Sequence, residues 1–205
     1  MPNWCYNSLS ISHNDPAMIS RAKKAFEENR LFDEFVPIPK DLCIDANVGG
    51  ETPEQIDNLS KHGYTDWYTF CVENWGTKWD VANGDIGLET PTGLEVSFDT
   101  AWSPPVIFYK KMEELGFTVF ASYREEGMGY IGEYSNGNDE CYDYDFADDE
   151  WRNHLPEHLA EELEGEYEFW KEYQAQSEEY AMGEDGTPCL SQPLVNAYNL
   201  IEDDV

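Results

Sequence analysis

Apolar and polar residues alternate with period two around residue 90. Ile86 and Leu88, then Leu94, Val96 and Phe98, are apolar at every second position. This predicts half-buried strands over Val81 to Thr90 and Leu94 to Ala101. Pro91-Thr92-Gly93 between them is turn chemistry, the proline presetting φ and the glycine accepting a positive φ. Trp4 to Ser12 has a strand pattern, and Phe117 to Ser122 reads as a strand returning to the sheet. Between these runs the period becomes helical. Met18, Ala22, Ala25 and Phe26 share one face behind an Asn14-Asp15-Pro16 start. Trp102-Ser103-Pro104-Pro105 opens a second helix, with Ser103 as cap, a proline in its first turn and Gly116 as its stop after about Leu115.

Strand–helix–strand–strand–helix–strand is the ferredoxin-like order, an α+β fold with helices on one face of an antiparallel sheet. Leu31 to Asn47 reads as an irregular connection, because Pro37 and Pro39 forbid helix, with Phe32, Phe35, Val36 and Ile38 packing onto the sheet. Thr52-Pro53-Glu54-Gln55 is a capping box for a short helix ending at Gly63. Thr65 or Asp66 caps another that ends at Gly76. The core is therefore expected over residues 1–135, with a helical insertion at about 48–79. Residues 136–205 form an acidic extension. A hairpin pairs Met128 to Tyr134 with Glu140 to Phe146 about an Asn136-Gly137 turn. An amphipathic helix follows over 156–174, then a flexible or draped tail from Ser177 with a docking patch at Leu194, Val195, Tyr198, Leu200 and Ile201.

Three separated motifs carry a resemblance to a family. They are Met1-Pro2-Asn3-Trp4-Cys5-Tyr6-Asn7, Glu73-Asn74-Trp75-Gly76-Thr77-Lys78-Trp79 and Phe98-Asp99-Thr100-Ala101-Trp102-Ser103-Pro104-Pro105. Over roughly residues 1–135 the chain resembles the YubB-like ferredoxin-like domain proteins of phages and plasmids. The resemblance implies the fold and a mobile-element origin. It implies no activity and carries over no catalytic or binding residue.

Charge narrows the partners. The net charge is −31, and it is uneven. Residues 1–127 hold 21 acidic and 10 basic side chains, while residues 128–205 hold 22 acidic and only two basic ones, Arg152 and Lys171. Direct nucleic-acid binding rests on neutralising phosphates with Lys and Arg, so it is not expected. A basic host protein, itself of the nucleic-acid-binding kind, is the natural partner. No apolar run reaches the ~20 residues of a membrane helix, and the start of the chain is too polar for a signal peptide. Five cysteines without a C-x-x-C suit a reducing cytoplasm.

The expected partner-binding residues are Asp143, Asp145, Asp148, Asp149, Glu157, Glu161, Glu164, Glu168 and Glu172. The five glutamates form one stripe opposite Leu159, Leu163, Tyr167 and Trp170 on the 156–174 helix, one carboxylate every ~5–6 Å from the 1.5 Å rise per residue. A second candidate is a pocket lined by Trp4, Trp75, Lys78, Trp79 and Trp102. Its plainer reading is indoles filling the core while Lys78 snorkels or pairs with a carboxylate. No nucleotide fingerprint, P-loop or G-x-S-x-G is present, so no catalytic residue and no cofactor is expected. The function classes are then an acidic phage or plasmid protein that binds a host protein, in its sharper form a DNA mimic; a small-molecule binder or enzyme using the tryptophans; and a structural or homodimerisation module.

His154 and His158 are four apart but lack further ligands, and the Asp45–Gly50 stretch has Ile56 where a calcium loop needs glutamate. We therefore predict that calcium, magnesium or zinc leaves the melting temperature nearly unchanged. A large stabilisation reversed by chelator and abolished by Asp143→Asn, Asp145→Asn or His158→Ala would show that a site exists.

Overall fold

The computed structural model describes residues 3–46 and 52–181. The tail patch at Leu194 to Ile201 and most of the calcium-like stretch lie outside the described residues. The chain divides into two compact units, residues 1–145 and 146–205.

The first unit is α+β. Its strands are β1 (Trp4–Ser12), β2 (Ala82–Thr90), β3 (Gly93–Ala101), β4 (Thr118–Glu125), β5 (Tyr130–Ser135) and β6 (Asn138–Asp143). They form one antiparallel sheet in the order β2-β3-β1-β4-β5-β6. Its helices are α1 (Pro16–Glu27), α2 (Leu31–Phe35), α3 (Pro53–His62), α4 (Trp67–Asn74) and α5 (Val106–Glu114). Thus β1-α1-β2-β3-α5-β4 runs in the expected order, with α2, α3 and α4 inserted after α1. One face of the sheet supplies Leu9, Ile11, Leu94, Val96, Phe98, Val119 and Ala121 to the core. The helices meet it with Ile19, Ala22, Phe26, Phe32, Phe108 and Met112.

The hairpin placed in the acidic extension belongs instead to the sheet. β5 pairs along β4, and β6 along β5, so the division falls after Asp145 and not at 135/136. Backbone pairing decides this, whereas composition changes earlier. Asn136 and Gly137 both take positive φ, 52° and 79°, as a two-residue I′ turn requires. Gly132 is needed for close approach, because a Cβ there would meet the Tyr123 ring at 2.6 Å and the Glu140 carbonyl at 2.5 Å.

Local signals hold where their partners are local. Thr52 and Gln55 form the reciprocal capping box, and Asp66 with Thr69 forms another. Asp15 accepts from the Ala17 amide, with Pro16 in the first turn of α1. Three expectations change. Gly93 is absent from the positive-φ residues, and Pro91-Thr92 alone turn the hairpin. Ser103 does not cap α5; its Oγ donates to the Gly76 carbonyl at 2.7 Å, and Pro105 precedes the helix without a side-chain cap. Leu88 does not face the core: Ile86 stands opposite Val96, but Leu88 stands opposite Glu95 and is 51% exposed. One extra residue in β2 flips every later side chain.

The connection after α1 is also more ordered than expected. Leu31–Phe35 is helical because Asp80, far along the chain, caps it. Its carboxylate accepts from the amides of Phe32, Asp33 and Val81, each at 2.9 Å. Phe35, Val36 and Ile38 pack on the core as expected.

Burial pushes the Asp80 carboxyl up to about 6, against the pull of the three amides. The folded chain then holds this proton more tightly than the unfolded chain, whose aspartate titrates near ~4. Stability from this group therefore falls as pH rises from about 4 to about 6. We predict that the stability advantage of wild type over Asp80→Asn, measured by urea unfolding across this range, shrinks with rising pH. A constant or growing advantage would show that the amide donors dominate.

Candidate functional site

The acidic residues lie on both units. Asp143 ends β6 and Asp145 closes the first unit, both exposed. In the second unit, Asp148 and Asp149 are exposed ahead of a 3-10 turn at Trp151–His154. The expected single helix over 156–174 is two helices, α6 (Glu157–Glu162) and α7 (Glu164–Ala181). The break falls at Leu163, beside Gly165, which costs a helix about 1 kcal/mol relative to alanine. Leu163 is fully buried, so packing holds the junction. Glu157 and Glu161 therefore sit on α6, and Glu164, Glu168 and Glu172 on α7; the regular 5–6 Å spacing holds only within each helix.

The apolar side is as expected. Leu159 and Leu163 are buried, and Tyr167 stacks on Trp170 with centroids 6.1 Å apart. Phe146 and Trp151, which the periodicity did not assign to this cluster, complete it at 5.1 to 5.4 Å from each other and from Tyr167. On the polar side Arg152 pairs with Glu164, and Lys171 with Glu168 at 2.6 Å. Such exposed pairs contribute at most about 1 kcal/mol. They nevertheless place both basic residues of the last third on the glutamate stripe. Among the described residues Glu157, Glu161 and Glu172 are exposed and make no ion pair. His154 lies in the 3-10 turn, 3.6 Å from Asp148, and not on a helical face with His158.

The tryptophans separate into two kinds. Trp75 is 3% exposed, packs edge-on to Phe32, and donates its Nε1–H to the Val36 carbonyl at 3.0 Å. Trp4, Trp79 and Trp102 are 40%, 39% and 48% exposed. Trp4 and Trp79 have ring centroids 6.2 Å apart. Lys78 Nζ stands 4.3 Å from the Trp79 centroid and 5.8 Å from that of Tyr68. Lys78 thus makes a cation–π contact, and among the described residues no carboxylate pairs with it.

Trp102 has φ 72°, a left-handed conformation that is an outlier for so bulky a residue. Hydrogen bonds hold the backbone there. The Trp102 amide donates to the Asn3 carbonyl at 2.9 Å, and its own carbonyl accepts from the Tyr130 hydroxyl at 2.9 Å. Next to it, the Ser103 carbonyl accepts from Thr100 Oγ1 at 2.8 Å. Thr100 in turn belongs to a buried network with Asn7 and Tyr109. No periodicity in the sequence signals this strain.

Cysteine chemistry finds no activated thiol at Cys5 or Cys71, because burial pushes both up to about 12.

We predict that Trp75→Ala costs about 3–5 kcal/mol, as for other buried aromatics. Trp102→Ala should cost about 1 kcal/mol or less, since its ring is half exposed and its left-handed backbone remains. Equal losses in chemical denaturation would contradict this separation.

No protein-family model matches the chain, and no curated protein matches it. A solved structure, that of protein api92 from Yersinia pseudotuberculosis, described under the family model DUF1281, is similar to it with 10% identity and a TM-score of 0.41, over 71% of this chain and 99% of that one.

Proposed function

We propose that this chain is an accessory protein of a phage or plasmid that binds a basic host protein through its acidic surface, in the host cytoplasm. In the sharper form it is a DNA mimic that occupies the nucleic-acid site of a restriction, defence or transcription protein. One observation supports this most: residues 128–205 carry 22 acids against two bases, and eight of the nine candidate acids in that stretch, all but Glu164, are exposed. The YubB-like resemblance adds the mobile-element origin. No helix among the described residues is long and apolar enough to cross a membrane. The alternative, a small-molecule binder or enzyme, needs the tryptophans to converge on one concavity. It draws less support, with Trp75 in the core and the other three rings open outward.

The structure refines which charges to remove. Glu164 and Glu168 are already paired, so changing them would free two cations. We predict that Glu157→Gln, Glu161→Gln and Glu172→Gln together preserve folding, because glutamine matches glutamate in helix propensity. Affinity for the host protein captured by wild type should fall, mostly through slower association, and duplex DNA should compete. Binding should also weaken steeply with salt, since exposed charges are screened within ~10 Å at 0.1 M. Equal binding by both forms, indifferent to salt, would mean that the charge serves solubility alone.

A further inference from the structure

Helix α3 buries polar side chains and exposes apolar ones. Gln55 and Asn58 are its buried residues, 4% and 2% exposed. Ile56 and Leu59 are 55% and 45% exposed. Hydrogen bonds fix this rotation of the helix. Gln55 Oε1 accepts from the Thr52 amide at 2.9 Å, and its Nε2 donates to Asp66 at 3.3 Å. Asn58 Nδ2 donates to the Asp41 carbonyl at 2.9 Å and to the Thr65 carbonyl at 3.3 Å. Rolling α3 inward to bury Leu59 would leave these buried amide groups unpaired, which costs more than the apolar burial returns.

The exposed strip is Ile56, Leu59, Ser60 and Gly63, at i, i+3, i+4 and i+7, and it carries no charge. That is unusual ground in a chain of 43 acidic and 12 basic residues. Two large side chains stand beside two small ones, and a Cβ at Gly63 would meet nothing within 4 Å, so the space there is open. Along the rim of the strip Asp57 and Lys61 are exposed and paired at 2.6 Å.

We propose that this strip docks a second copy of the chain, α3 against α3 and antiparallel. A two-fold axis at Leu59 sets Leu59 on Leu59, brings Ile56 toward the copy's Gly63, and puts Asp57 level with the copy's Lys61 and Lys61 level with its Asp57. Charge selects this direction, because a parallel pair would set Asp57 against Asp57 and Lys61 against Lys61. The helix macrodipoles also oppose one another only in the antiparallel pair. A ten-residue helix is about 15 Å long, too short to bury by itself the ~1,600 Å² of a standard interface, so the dimer is a weak one. Net charge opposes it at long range, and salt screens that repulsion.

Sedimentation equilibrium of the full chain, up to about millimolar concentration and across a salt series, tests this. The expected result is a monomer–dimer equilibrium that tightens as salt rises, the opposite of the dependence expected for a basic partner on the acidic surface. Leu59→Glu keeps helix propensity and should keep the melting temperature, while weakening association about tenfold or more. Asp57→Lys alone and Lys61→Asp alone should each weaken it about three- to tenfold, and the double exchange should restore it. A chain that stays monomeric throughout would overturn the inference and leave the acidic reading intact. So would a dimer indifferent to Leu59→Glu, which would lie on another face. Failure of the double exchange to restore association would overturn the antiparallel pairing. A strongly destabilised Leu59→Glu variant would show that the side chain belongs to the chain's own core and would overturn the proposal as well.

Discussion

Strand β1 sets the terms for everything built around it. It pairs with β3 on one side and β4 on the other, so both rows of its backbone groups are satisfied by ladders. One of its faces must also be covered, since Cys5, Asn7, Leu9 and Ile11 point into the interior. Asn7 could not be buried without partners for its amide. Its Nδ2 donates to the Cys5 carbonyl and to Thr100 Oγ1, both at 2.9 Å, and its Oδ1 accepts from the Tyr109 hydroxyl at 3.1 Å. These bonds tie β1 to β3 and to α5. Thr100 extends the network to Ser103, and so the constraint reaches the surface at Trp102.

Charge is the second constraint, and it acts differently in the two units. In the first, cations are drawn into ion pairs along the surface of α1 and α2, such as Arg21 with Glu34, or onto aromatic faces. In the second, Arg152 and Lys171 are far outnumbered by acids, and the unit is held by its apolar side: Leu155, Leu159 and Leu163 with the Phe146, Trp151, Tyr167 and Trp170 rings. Such an arrangement leaves the opposite side free to be as negative as the sequence makes it. Like-charge repulsion there opposes compaction, and the aromatic cluster offsets it.

Edge strands need protection in a sheet with open ends. β6 carries Asp139, Glu140 and Asp143, and β2 is bent by its bulges. Acids on β6 therefore serve as edge blockers.

What the sequence determined alone was whatever depends on near neighbours: the period-two run Leu94, Val96, Phe98; the capping box at Thr52 and a helix start at Thr65 or Asp66; the Asn136-Gly137 turn; and the apolar line from Leu159 to Trp170. Each is a contact within about four residues, or an alternation that one buried face enforces. The α+β class and the order of its core elements followed from these pieces. Tertiary structure decided what hangs on distant partners. α2 exists because the Asp80 carboxylate reaches its amides from 47 and 48 residues away. Ser103 bonds across 27 residues to Gly76 instead of capping its own helix. Leu88 turns outward because of a bulge, and the acidic stripe divides at Leu163 because that side chain is held in a core. Trp75 and Trp102 look alike in sequence, each a tryptophan beside a helix end. Only packing puts one inside and the other on the surface, because burial is a property of what surrounds a residue and periodicity records only the chain itself.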